Sequence, residues 1–300
     1  MDRGPGAEPR SAVTGRAAGE GPAALAGDRR SRIVGGGEGR SVWVAVASTA
    51  VFFTVAGVLV VTSPGWPAIR DAFFDGAVFR DAFPKILARF GRNVAIFGIA
   101  EVLVLVLALL IAVMKSLPGP VFAPLRLLAA AYTDLFRGVP TILVVALLGF
   151  GMPALGLRGV PRSDVVWAIV ALTLVYAAYV AEVYRAGIES IHPSQMAAAR
   201  SLGLSRGQAM RHVILPQAVR RVIPPLLNDF IGLQKDSALV AFLGYTEALR
   251  QAQIVSAADF DFTPFVALAL IYVVITIPQA RLVDWLIARD QRRRAGGGTT

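Results

Sequence analysis

Residues 42–61 read VWVAVASTAVFFTVAGVLVV, twenty consecutive positions without a charged side chain. At about 1.5 Å of rise per residue, such a run crosses the roughly 30 Å hydrocarbon core of a bilayer as one helix. Hydrocarbon offers no water to unpaired backbone groups, so a lone span of this kind has to be helical. Thr62-Ser63-Pro64-Gly65-Trp66 follows it, where a signal peptide would present small residues at a cleavage site. The run therefore reads as a permanent N-terminal transmembrane anchor.

Upstream, residues 1–41 hold seven arginines among Gly, Ala and Pro, with almost no large apolar side chains. Such a segment buries too little surface to offset its ordering entropy, and a flexible tail is expected. Downstream, apolar stretches recur at 94–114, interrupted by Glu101; at 121–150, interrupted by Arg126, Asp134 and Arg137; at 165–181; and at 262–280. The composition agrees: 300 residues are 55% apolar and 17% charged, with a mean hydropathy of +0.61. These values describe an all-α membrane protein.

Hydropathy alone gives five spans, and charge gives the parity. Seven arginines precede residue 42, and Arg281, Arg289, Arg292, Arg293 and Arg294 follow residue 280, so both termini are expected on the cytoplasmic side. An even number of spans is then required. The sixth is placed in 222–245, where Pro224, Pro225, Asn228, Asp229, Lys235 and Asp236 weaken the hydropathy signal. A polar, broken helix is tolerated at membrane depth only when it packs in protein or lines a watery cavity.

Six spans put 182–221, with six arginines and two acids, in the cytoplasm, and 244–263, with one arginine and three acids, outside. The stretch 62–92 is then an extracytoplasmic loop, although 62–93 carries five basic residues against three acidic. The net charge of +10 is thus topology before it is affinity for nucleic acid. Zero cysteines exclude disulfides, thiolate metal sites and cysteine nucleophiles. H-E-x-x-H does not occur, and the one G-x-S-x-G, Gly203-Leu204-Ser205-Arg206-Gly207, lies between two short helices of the cytoplasmic segment and not on the strand-to-helix turn a nucleophile elbow needs. The two histidines, His192 and His212, lie in the same segment, so no catalytic or metal-binding residue is assigned.

That segment carries the functional information. From Ile191 the chain reads IHPSQMAAARSLGLS, in which Pro193 suits a first helical turn and Gly203 suits the left-handed residue that ends a short helix. Ser205 with Gln208 three positions on has capping-box spacing, and Pro216 is expected to stop the second helix. A basic helix-turn-helix tethered at both ends by membrane spans cannot lay a recognition helix in a major groove, so no nucleic-acid partner is assigned. The small residues Ala197, Ala198, Ala199 and Gly203 instead permit close approach of a partner surface.

These residues resemble the cytoplasmic EAA loop of binding-protein-dependent ABC importer permeases, whose pattern is E-A-A, three residues, G, nine residues, I-x-L-P. Here it is Ala197-Ala198-Ala199, Gly203, then Val213-Ile214-Leu215-Pro216, with Ala197 in place of glutamate and Val213 in place of isoleucine. Phe136-Arg137-Gly138-Val139-Pro140-Thr141 is similar to the F-R-G-T-P segment of the polar amino-acid branch. Residues 178–188 (AYVAEVYRAGI), 215–218 (LPQA) and 228–239 (NDFIGLQKDSAL) are similar to further segments of that branch.

The resemblance implies a five-helix ABC importer transmembrane domain over 93–289, with a cytoplasmic coupling loop at 188–216 and a basic cytoplasmic tail at 290–300. The span at 42–61 is then an extra one. It implies a multi-pass protein of the prokaryotic plasma membrane that imports polar amino acids of the glutamate, glutamine, arginine and histidine class. The implied partners are two copies of an ABC ATPase, a second permease that is identical or different, an extracytoplasmic solute-binding protein and membrane lipid. G-x-x-x-x-G-K-[ST] is absent from the chain, so ATP and Mg are expected on the ATPase, with no cofactor here. Ala197, Ala198, Ala199, Arg200, Gly203, Leu204, Ser205 and Arg206 are the implied ATPase-coupling residues. Glu101, Glu182, Asn228 and Asp229 are candidates for the substrate pathway. A permease for another small polar solute, or a carrier or channel independent of ATP, are the alternatives.

Overall fold

The structure, a computed structural model, describes residues 37–296, and these are helical throughout apart from turns. The chain divides into two compact units, Met1–Trp66 and Pro67–Thr300. The first contains α1 (Gly37–Val61), whose stretch Ser41–Val61 has a mean hydropathy of 2.4. Thr62 ends it by returning its hydroxyl to the Val58 carbonyl at 2.7 Å. Most of the expected tail lies outside the described residues, but 37–41 already belong to α1, since an established helix extends at little cost.

Most of the expected loop 62–92 is helical. After α2 (Trp66–Phe73), α3 runs 41 residues from Gly76 to Ser116. Asp75 caps α3 by accepting from the Ala77 and Val78 amides at 2.7 and 3.1 Å, and Lys85 meets Asp81 one turn back at 2.6 Å. The polar residues that weakened the hydropathy signal therefore start the helix and support it. Its early face, Ala82, Ile86 and Phe90, packs against Ala248 and Ala252 of α10 (Ala248–Asp259) and Ala267, Leu268 and Ile271 of α11 (Thr263–Gly296).

The main core joins the later half of α3 to α6 (Asp164–Glu189). Ala100 and Ala108 face Ala168, Ala171, Ala177 and Ala181, and small side chains let the two helices approach closely where hydrocarbon supplies no hydrophobic force between them. Val102, Val106, Leu109 and Leu110 lie on the opposite face of α3, more than half exposed, as a lipid-facing surface requires.

The apolar stretch at 121–150 is two helices, α4 (Ala123–Gly138) and α5 (Thr141–Ala154), bent by 100° at the break between them. Pro140 causes the break, because it has no amide to continue the ladder and forces the preceding Val139 into extended backbone. Among the described residues, four helical stretches are long and apolar enough to cross a membrane: Ser41–Val61, one within Trp66–Ser116, Asp164–Glu189 and Thr263–Arg289. The bent pair makes a fifth if it forms one span. The polar α9 (Leu215–Asp236) is long enough but not among them. At the C-terminus, α11 continues to Gly296, so most of the expected tail from 290 is helix.

Candidate functional site

Between α6 and α9 the chain builds a small projecting module. His192 caps α7 (Pro193–Ser201) by accepting from the Ser194 amide at 3.2 Å, and Pro193 occupies the first turn. Gly203, at φ +86°, ends α7: its amide bonds Arg200 O at 3.0 Å and the Leu204 amide bonds Ala199 O at 3.2 Å. This pair of bonds is the Schellman motif and satisfies the last carbonyls of the helix. Ser205 then opens α8 (Arg206–Ala209) with a reciprocal capping box, Ser205 Oγ accepting from Gln208 N at 3.2 Å and Gln208 Oε1 from Ser205 N at 2.8 Å. Pro216 does not stop this helix. A π-helical turn at Met210–Ile214 carries it directly into α9, with Pro216 in the first turn, where its missing amide costs nothing.

The module is seated by Ile191, Ile214 and Ala218, with Ile188, Met196, Met210 and Val213 around them. Ala199 faces inward and is buried. Ala197, Ala198, Arg200, Gly203, Ser205 and Arg206 face solvent, and Leu204 is half-buried. Leu202 stands at the tip, 84% exposed, a large apolar side chain that the sequence reading passed over because it lies outside the small-residue pattern.

The pathway candidates separate into two places. Glu101 of α3 and Asp229 of α9 are close enough for their charges to interact, and Tyr184 of α6 lies within the same range of Glu101. Asp229 Oδ2 is buried without a hydrogen-bond partner among the described residues, while Asn228 beside it is exposed. Three helices thus converge on a polar region. Glu182 sits in a separate cluster that ties three helices together. One of its oxygens takes Lys115 Nζ from the end of α3, and the other takes Arg185 at 2.7 Å. Lys115 also donates to Thr133 of α4 at 2.8 Å, and Arg185 reaches Glu189 at 2.5 Å.

A second polar knot, which the sequence reading missed, locks the middle of α3. Asn93 donates to Ser237 Oγ at 3.4 Å and accepts from the Ala248 amide at 3.1 Å, while fully buried Glu247 caps α10 through the Leu249 and Arg250 amides. Arg92 bonds Thr246 O at 2.6 Å and covers the Tyr245 ring. Asn93 closes a charged stretch in the sequence, and only its distant partners mark it as structural. Among the described residues, no three His, Cys, Asp or Glu side chains group so as to hold a metal ion.

Residues 105–291 match the family model described as "Binding-protein-dependent transport system inner membrane component". The chain belongs to that family. It is 39% identical over 188 residues to the "Probable glutamine ABC transporter permease protein GlnM" of Bacillus subtilis (strain 168), covering 62% of this chain and 84% of the relative. It is 34% identical over 197 residues to the "Arginine transport system permease protein ArtQ" of the same organism, covering 65% and 87%. A structure titled "Crystal structure of an amino acid ABC transporter with histidines" superposes with a TM-score of 0.65 at 32% identity, over 72% of this chain and 98% of that one. The MetNI methionine ABC transporter in an inward-facing form gives a TM-score of 0.52 at 20% identity, over 67% and 95%, a likeness of fold alone. The chain is a transmembrane permease of the amino-acid ABC transporter kind, and ATP hydrolysis resides in a separate subunit. The matched region includes the whole projecting module and Glu182, Asn228 and Asp229. Glu101 and α1 lie ahead of it.

Proposed function

We propose that this chain forms the translocation pathway of an ATP-driven importer of polar amino acids and couples to its ATPase through α7. The observation that carries the coupling is the build of the module. A short helix is fixed at both ends by caps, seated on its own apolar base, and presents Ala197, Ala198 and Leu202 outward. A solvated loop needs none of this. A push on such a rigid element is transmitted through the π turn to α9, which carries Asp229. The small outward residues fit a groove, and Arg200 and Arg206 supply ionic contacts at its rim.

In this reading α9 is the sixth span, both termini are cytoplasmic, and α1 is an added anchor in the prokaryotic plasma membrane. Glu101, Asn228 and Asp229 line the pathway, where carboxylates suit the ammonium group common to all amino acids. Glu182, with both oxygens engaged by cations, first positions α3 against α6. Relatives named for glutamine and arginine transport support the substrate class. The assembly is two permeases, two ATPases and a solute-binding protein. ATP and Mg bind the ATPases, which bias the permeases between inward- and outward-open states.

Gly203→Asp tests the coupling. The position requires φ near +86°, which an aspartate adopts only with strain, and a Cβ there points into open space, so the variant would strain the turn that ends α7 and project a carboxylate toward the partner. The variant should insert normally and retain less than about a tenth of ATP-driven glutamine or arginine uptake in proteoliposomes. Normal uptake by the variant sinks the coupling role. Uptake that persists without ATP at a clamped proton gradient favours a carrier.

A further inference from the structure

We propose that the C-terminal end of α11 holds a binding site for the phosphate of an anionic phospholipid. Trp285, Ala288, Arg289 and Arg292 line an open recess of about 320 Å³. Their spacing of three, four and seven residues places all four on one stripe of the helix. The guanidinium carbon of Arg289 lies 5.1 Å from the centroid of the Trp285 ring, a cation–π contact that holds the charge beside the indole. Among the described side chains, neither Arg289 nor Arg292 forms an ion pair, whereas Arg281, one turn before Trp285, lies 3.8 Å from Asp284. Two unpaired cations and a tryptophan therefore converge where the apolar span Thr263–Arg289 ends.

A phosphate answers the two guanidinium groups, which match its oxygens with paired donors. The apolar surface selects a lipid over a free anion. Leu270, Val274 and Ile277 continue the same side of α11 toward the membrane centre, each at least 45% exposed, and offer an acyl chain a track from the recess. A tryptophan at headgroup level beside basic residues is the arrangement by which membrane proteins hold acidic lipids.

The test is native mass spectrometry of the detergent-solubilised full-length protein, titrated with phosphatidylglycerol in competition with phosphatidylcholine. Phosphatidylglycerol should be retained preferentially, and Arg289→Gln with Arg292→Gln should weaken that retention about tenfold or more. The charge-matched control, Arg211→Gln with Arg220→Gln, removes two exposed arginines elsewhere and should leave retention unchanged. Millimolar inorganic phosphate should not displace the lipid. Equal retention of both lipids, an equal loss in the control, or displacement by phosphate would each overturn the assignment. The lipid competition and phosphate arms use the unaltered protein and can overturn the assignment even if the arginine variant does not fold.

Discussion

Lys115 and Glu182 show how one charge placed at a helix end organises three helices. Glu182 is mostly buried, with a side chain 16% exposed, and a carboxylate so placed is tolerated only with its partners in position. Arg185 comes from the same helix and would accompany Glu182 in any arrangement, so only Lys115 ties it to α3 and, through Thr133, to α4. Lys115→Met should therefore destabilise the solubilised protein by about 1.5–3 kcal/mol, the usual worth of a hydrogen bond to a charged group. Glu182→Gln in the same chain should recover part of that loss, because the buried oxygen that Lys115 served then carries no charge. Thermal unfolding of the two single variants and the double variant measures the coupling, and strict additivity would show that the pair does not hold the helices.

At the scale of elements, the crossing of α6 and α9 depends on a residue that is absent as a side chain. A Cβ on Gly187 would run into Val222 Cγ1, with the Ala218 carbonyl 3.5 Å away, so the two backbones meet where neither can add an atom. Gly187→Ala should cost about 1–3 kcal/mol by overpacking, and Val222→Ala in the same chain should restore most of it. Unfolding midpoints that leave the single variant at the level of the parent would refute the close approach. Pieces of this scaffold are legible in the sequence and others are not. Pro193, Gly203 and the Ser205–Gln208 box announce the module because local chemistry alone fixes them. Asp75, Asp81 and Lys85 read as loop because hydropathy cannot tell a helix that rises beyond the hydrocarbon from a polar connection. Pro216 reads as a stop because a proline in a first turn looks the same as one that follows a last turn until the π turn upstream is seen. The Asn93–Glu247 knot spans more than 150 residues, and no local pattern records it.

For the whole molecule the open quantity is how its charges arrange it across the bilayer. In the proposed topology, six arginines against two acids assign 182–221 to the cytoplasm, and one arginine against three acids assigns 244–263 to the outside. The 62–93 stretch, with five basic residues against three acidic, resists that rule. Two of these cations are engaged within the structure of 76–92, Lys85 with Asp81 and Arg92 with the Thr246 carbonyl. The chain contains no cysteine, so single cysteines can be introduced on an unlabelled background. Ser201→Cys at the end of α7, Ala258→Cys near the end of α10 and Ala77→Cys at the start of α3 are all at exposed positions. A membrane-impermeant maleimide applied to intact cells should label positions 258 and 77 and leave position 201 unmodified until the cells are opened. Labelling of 201 from outside would invert the molecule and remove α7 from reach of any cytoplasmic ATPase. Protection of 77 together with labelling of 258 would put the start of α3 on the cytoplasmic side, so that the five basic residues follow the charge rule after all. Residues 77 and 258 belong to segments that pack together through Phe262 N and Ala72 O at 2.7 Å and through Thr263 Oγ1 and Asp75 N at 3.1 Å, so they should report the same side.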